Sequence, residues 1–204
     1  MPIKDPGLLP WLAGFIVLLV VLGLTGKPVN DVLMYNQAAI ADGQWWRLVT
    51  GHFVHLNHWH LLLNLGGFLL CCYFFSDVYD RHLFFLWLLV SAPIVGLVFY
   101  FVDDLAGNYA GLSGLLHGWL IIALIVGWRT HPWIHALVLA LITGRLIWEQ
   151  LPGYDADYLR DYIDGAVHVN AHLYGALVGL FLSFAVLLTR RLKQHKQRRP
   201  EPTA

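Results

Sequence analysis

Residues 168–189, HVNAHLYGALVGLFLSFAVLLT, followed at once by RRLKQHKQRR at 190–199, decide what kind of molecule this is. The apolar stretch holds no Asp, Glu, Lys or Arg and is long enough to cross a hydrocarbon core of about 30 Å, which takes roughly 20 helical residues. Five further apolar runs lie upstream, near 8–24, 59–76, 83–102, 111–128 and 133–149. Composition agrees: of 204 residues 58% are apolar and 13% charged, where an ordinary soluble domain carries about 25% charged residues. Such a chain cannot cover itself with polar surface. The expected fold is an all-α membrane protein, a bundle of six transmembrane helices forming a single membrane domain over 1–204 with a basic tail at 189–204. The first run is followed by five more, so it reads as a span and not as a removable signal peptide.

The formal net charge of zero hides an asymmetry. Six spans place both termini on one side, together with the turns near 77–82 and 129–132. That side collects Lys4, Arg81, Arg129, Arg190, Arg191, Lys193, Lys196, Arg198 and Arg199, against only Asp5, Asp77, Asp80 and Glu201. The positive-inside rule makes it the cytoplasm and puts loops 25–58, 103–110 and 150–167 outside. The basic tail directly after a span reads as a topology and anionic-lipid anchor, so the expected partner is the bilayer and not nucleic acid. Cys71 and Cys72 are neighbours within a span; on a helix they point about 100° apart, which argues against a disulfide between them.

Polar side chains inside spans are expensive, and three clusters stand out. In HWHLLLN, His60 and Asn64 lie four residues apart on one helical face. They suit either hydrogen bonding between helices or a wall that stabilises an anion. In GLSGLLHG, Ser113 opens a helix, where free backbone N–H groups and the dipole favour negative charge. Gly111, Gly114 and Gly118 flank it, and the same residues also read as a small-residue packing stripe. In AHLYGALVG, His172, Gly175 and Gly179 share a face, so glycines allow a neighbouring helix close to the imidazole. A serine needs a positioned base and an oxyanion site before it becomes a nucleophile. Together the clusters supply the inventory for acyl transfer: Ser113 as nucleophile, His172 as general base, and His60, Asn64 and the Ser113 N–H as oxyanion donors. The nearest acid to His172 along the chain is Asp164, in the preceding loop, so a Ser–His dyad is expected. His117, one turn after Ser113, competes with His172 for the role of base.

The ordered set resembles the rhomboid family of intramembrane serine proteases. The family's Trp-Arg pair in the first external loop corresponds to Trp46 and Arg47, its H-x-x-x-N motif to His60 and Asn64, its G-x-S-G signature to Gly111–Gly114, and its H-x-x-G-x-x-x-G motif to His172, Gly175 and Gly179. The likeness spans residues 45–180. Where many bacterial members have tyrosine four residues after the serine, this chain has His117. Six spans, LSGLLHG, the Trp148-Glu149-Gln150 triplet and AHLYGAL are most similar to the rhombosortase subfamily. That resemblance implies residence in a bacterial inner membrane, with a site opening to the periplasm. It implies substrates that are secreted proteins ending in Gly-Gly, one apolar helix and a basic cluster, and it calls for no cofactor and no metal. It also implies that loop 25–58 is partly inserted beside the core, with Trp45, Trp46 and Trp59 as interface anchors.

Other features read more plainly. His52, His55, His58 and His60 suggest a zinc site, but no carboxylate or cysteine joins them and interfacial packing suits the first three. Arg145 and Glu149, spaced i,i+4, suit a helix-end ion pair or a substrate contact. The acidic run Asp155, Asp157, Asp161 and Asp164 lacks calcium-loop spacing and reads as a solvated cap. Alternative functions are a general rhomboid protease of single-span proteins, a non-enzymatic binder of transmembrane helices and a proton-coupled transporter. The binder predicts a missing Ser or His, and the transporter predicts carboxylates deep in the spans.

Overall fold

The computed structural model describes residues 4–103, 107–155 and 157–197; Arg198, Arg199 and Glu201 of the tail lie outside them. The chain is a helical membrane bundle. A short 3-10 turn at Pro6–Leu8 leads into α1 (Leu9–Leu24). Three small helices follow, α2 (Lys27–Leu33), α3 (Gln37–Ala41) and α4 (Arg47–Thr50), with the two-residue strand β1 (Tyr35–Asn36) between the first two. Then come α5 (His58–Phe74), α6 (Arg81–Leu86) running through a π-helical turn at Trp87–Ser91 into α7 (Ala92–Val102), strand β2 (Asn108–Tyr109), α8 (Ser113–Val126), α9 (Pro132–Glu149), the short α10 (Arg160–Ile163) and α11 (Val169–Gln197).

All six apolar runs are helical, but they differ in reach. Pro6–Leu24, Arg81–Val102 and Val169–Gln197 are each long and apolar enough to cross a membrane, whereas α5 and α8 are apolar and shorter. α9 has the length but carries His135, Arg145 and Glu149. α11 outruns its apolar stretch because the residues beyond Thr189 are mostly Arg, Lys and Gln, good helix formers that extend it into a polar medium. Hydropathy marks the edge of a span, not the end of a helix.

Helix starts are set by local chemistry. Asn57 caps α5 by accepting from the His60 N–H, and Asp80 caps α6 by accepting from the Leu83 N–H. At the core, Tyr79 stacks on Trp119 at 3.7 Å and Trp87 lies 4.7 Å from the same indole. Trp87 also donates to the Leu115 carbonyl at 2.8 Å and the Tyr79 hydroxyl to that of Trp119 at 3.0 Å, so the large rings pin α8 by its backbone. α8 and α11 form the most intimate pair. A Cβ on Gly118 would lie 2.6 Å from the Gly175 carbonyl oxygen, and one on Gly114 would lie 2.8 Å from that of Ala171. No side chain fits between these helices.

Loop 25–58 folds as short helices beside the bundle and exposes Trp45, Trp46 and, just beyond it, Trp59. Arg47 ties the loop together, donating to the Asp31 and Met34 carbonyls at 2.9 and 2.7 Å and to the Gln44 side chain. The histidines of this region depart from expectation. His52 and His55 are buried, His52 bonding the Ala92 carbonyl at 3.0 Å and His55 packing edge-on against His60, so neither sits at an interface. Cys71 and Cys72 are free.

Candidate active site

Ser113 is the first residue of α8. It is delivered there by a loop stitched to the rest of the fold: Tyr109 pairs with Tyr35 across β1 and β2, and the Gly111 N–H donates to the Gly51 carbonyl at 3.0 Å. Gly111 has φ +124°, and a Cβ there would lie 2.6 Å from His60 Nε2 and 3.5 Å from Asn64 Nδ2. Glycine is therefore required twice, for its backbone angle and for the space that brings α5 against the loop. The hydroxyl of Tyr109 donates to the Gly111 carbonyl, fixing the turn just before the serine.

His172, in the first turn of α11, reaches Ser113 with an Nε2–Oγ distance of 3.2 Å. Its other nitrogen, Nδ1, lies 2.9 Å from Glu149 Oε2. A carboxylate only accepts, so Nδ1 carries the proton, and Nε2 is left with the lone pair that can accept from the serine hydroxyl. Beside the expected Ser–His pair the structure places an acid, Glu149, buried to 4% exposure at the end of α9. Glu149 is also the partner of Arg145 at 2.9 Å, so the helix-end ion pair exists and is one half of a larger chain. Asp164 does not approach His172 in this way; its carboxylate accepts from Asn57 at 2.9 Å.

His117 is stacked on His172, ring centroids 4.2 Å apart and planes 20° from parallel. Its Nδ1 bonds the Ser113 carbonyl at 2.8 Å, and since a carbonyl only accepts, Nδ1–H is the donor. The ring is held by its own helix, flat against His172, and bonds the Ser113 backbone instead of its hydroxyl. That geometry favours packing over the role of base.

His60 and Asn64 face the serine from α5. Asn64 Nδ2 and His60 Nδ1 are buried without a protein partner, among the described residues. A buried amide N–H without a partner is costly, and here it lines the same cavity as Ser113. That cavity, about 140 Å³, is bounded by His60, Asn64, Tyr109, Ser113 and His172 and roofed by Leu159, Ile163 and Val167. The roof is tied down by Asn57, which donates to the Tyr162 carbonyl at 2.8 Å. A larger apolar cleft of about 830 Å³ between α5 and α9 contains none of these residues. The convergence of serine, imidazole and buried donors, and not size, makes the smaller cavity the candidate site.

Sequence reasoning overlooked Glu149 in this role, and Tyr109 and His168 as lining residues. Glu149 had a signal: a carboxylate ending an apolar run is a functional candidate by its cost alone. Tyr109 and His168 carried none.

The matched family model is the Rhomboid domain, over residues 42–189. The chain belongs to the rhomboid family. It is similar to "Putative rhomboid protease YdcA" of Bacillus subtilis (strain 168), 24% identical over 185 residues that cover 84% of this chain and 82% of the relative. This rhomboid protein is an intramembrane serine protease and a multi-pass integral membrane protein, whose substrates are transmembrane proteins and whose medium is the bilayer.

Proposed function

We propose that this rhomboid cleaves through Ser113 as nucleophile and His172 as general base, with Glu149 orienting the imidazole. The observation that carries the reading is one ring with two partners, Nε2 at 3.2 Å from the serine and Nδ1 at 2.9 Å from a buried carboxylate. An intact substrate helix hides its carbonyls in hydrogen bonds, so it must unwind where it meets the site. Ser113 Oγ then bonds to the exposed carbonyl carbon as its proton passes to His172 Nε2, and the carbonyl π pair moves onto oxygen. The Ser113 N–H, Asn64 Nδ2 and His60 Nε2 face that oxyanion. Donation from His60 Nε2 leaves only a lone pair, and no N–H, unpartnered at its buried Nδ1. Collapse breaks the C–N bond as His172 returns the proton to the leaving amine. Water or another amine then releases the acyl group.

The same reading has six spans, termini in the cytoplasm and the site opening to the periplasm of a bacterial inner membrane. It is supported by the charge bias and by contacts that gather the turns assigned to the inner side: the Lys4 N–H donates to the Ser76 carbonyl, Asp5 meets Arg81 and Arg190 meets Asp80. Substrates are secreted proteins with a Gly-Gly just outside a C-terminal apolar helix and basic tail. Glycine weakens a helix by about 1 kcal/mol relative to alanine and lets the backbone approach a cavity as small as this one.

The test is a soluble reporter fused to such a tail, with Gly-Gly or Val-Val, beside wild-type enzyme or the Ser113→Ala, His172→Ala and Glu149→Gln variants. Gly-Gly processing is expected from wild type, none from Ser113→Ala or His172→Ala, and a loss of roughly 10⁴-fold from Glu149→Gln, as for an orienting acid elsewhere. Cleavage surviving Ser113→Ala places the activity in another protein. Equal cleavage of Val-Val removes the glycine specificity and leaves the protease.

A further inference from the structure

Glu149 is a buried carboxylate with two oxygens and two claimants. Oε2 faces His172, while Oε1 accepts from Arg145 Nε at 2.9 Å. The glutamate side chain is 2% exposed and the arginine side chain 36%, so the cation sits at the rim and the anion inside it. Arg145 is held in turn by the loop that follows α9. Its Nη2 donates to the Tyr154 hydroxyl and, at 3.4 Å, to that of Tyr158, and its guanidinium lies 5.3 Å from the Tyr154 ring centre and 5.6 Å from that of Trp148. A chain of contacts thus runs from the external loop through Tyr154, Arg145, Glu149 and His172 to Ser113.

We propose that Arg145 is a positioning residue for catalysis, locking the Glu149 carboxylate in the rotation that presents Oε2 to His172 Nδ1. This rests on the role given to Glu149 above. The terminal torsion of a glutamate is broad and roughly two-fold, so one hydrogen bond to imidazole does not fix it. A second donor on the other oxygen does. Arginine suits the task because its planar fork leaves Nη2 free for Tyr154 while Nε holds the carboxylate; a lysine offers a point charge without that geometry. Burying a carboxylate is also costly unless it is paired and hydrogen-bonded, and Arg145 supplies the cation without entering the cavity. Tyr154 and Tyr158 make the arrangement sensitive to the external loop: a loop that shifts carries the arginine with it.

The experiment uses the purified full chain in detergent, with a Gly-Gly transmembrane reporter and a fluorophosphonate probe. Arg145→Leu is expected to lower kcat about tenfold or more, the middle of the range for coupling within one hydrogen-bonded network, with KM unchanged and probe labelling slowed to match. Arg145→Lys should recover part of that loss. Tyr154→Phe, which deletes one hydroxyl, should show a smaller fall of the same kind and keeps the test open if Arg145→Leu fails to fold. In a Glu149→Gln background Arg145→Leu should cost nothing further, because with Arg145 Nε on the remaining amide oxygen the amide NH2 already faces His172 Nδ1 and no acceptor is left for Arg145 to orient toward it. A wild-type kcat in Arg145→Leu overturns the proposal. So does a loss confined to KM, which would make Arg145 a substrate contact, or a loss that multiplies with Glu149→Gln, which would make it merely structural. If Glu149→Gln itself keeps wild-type kcat, the role of the glutamate fails first and that of the arginine with it.

Discussion

Asn64 shows how a residue can look unsatisfied in a resting protein and be satisfied by a reaction. Asn64 Nδ2 is buried without a protein partner and shares a cavity with Ser113. Folding has accepted the cost of an unpaired amide N–H, of the order of 1–3 kcal/mol. An oxyanion formed at Ser113 would supply the missing acceptor. Asn64→Ala and His60→Ala should therefore each reduce kcat by something like the 10²- to 10³-fold typical of one lost oxyanion donor, while leaving the fold intact. If both variants cleave the reporter at the wild-type rate, the wall is structural. His55 poses a different question. Both its ring nitrogens are buried without a partner, among the described residues, and burial, with nearby His60 adding to it, drives its pKa down from 6.5 to about 3. Burial lowers that of His52 to about 4. In each case the unfolded chain binds a proton that the folded one refuses, so stability is complete above pH 6.5 and falls as pH drops from there toward 3. His55→Leu should flatten the melting temperature in detergent across that window, and an unchanged slope would show that His55 does not carry it.

At the scale of elements, the backbone-to-backbone approach of α8 and α11 is also the one that the proposed chemistry needs. The Gly114, Gly118, Gly175 and Gly179 stripes let α8 and α11 touch backbone to backbone, and Ser113 and His172 ride on the first turns of those two helices. A misplacement of about 1 Å can cost roughly 10²-fold in rate. Gly175→Val and Gly118→Val should accordingly abolish cleavage at least to that extent and lower the melting temperature, whereas Gly144→Ala on α9, where an added Cβ meets nothing within 4 Å, should do neither. Full activity in Gly175→Val would mean that the pairing is dispensable. This stripe, with the serine and histidine on it, was readable because helical spacing is a property of neighbours in sequence. Glu149 was not, although it stands in plain view at the end of an apolar run. Nearness along the chain to His172 points to Asp164, but contact follows depth in the bundle: α9 ends and α11 begins at the same face, so 23 residues of separation close to a hydrogen bond. The π-helical turn at Trp87–Ser91 was equally hidden, since nothing in WLLVS departs from helical spacing. The buried histidines of 52–55 were misplaced because a polar loop beside a membrane reads as interfacial until tertiary packing covers it.

For the whole molecule, orientation is the property on which the substrate reading depends. Lys4, Ser76, Arg81 and Arg190 meet at one end of the bundle, and Ser113, His172 and the roof at Leu159–Val167 occupy the other. Basic residues resist translocation, so the end that gathers Arg81, Arg129, Arg190, Arg191, Lys193 and Lys196 should face the cytoplasm. A substrate tail of the proposed kind, with its own basic cluster, should obey the same rule, which would leave its glycines at the outer face, level with the serine. Orientation is accessible to labelling. In a background with Cys71 and Cys72 changed to serine, single cysteines are introduced at Pro152, Thr130 and Gln194, all exposed. A membrane-impermeant maleimide applied to intact spheroplasts should label Pro152→Cys, and should reach Thr130→Cys and Gln194→Cys only after permeabilisation. The reverse pattern would invert the protein and detach the site from any periplasmic substrate. Labelling of Thr130→Cys without Gln194→Cys would put an odd number of crossings between them, against the pair formed by α9 and α11, and with it the argument that brings Glu149 and His172 to one depth.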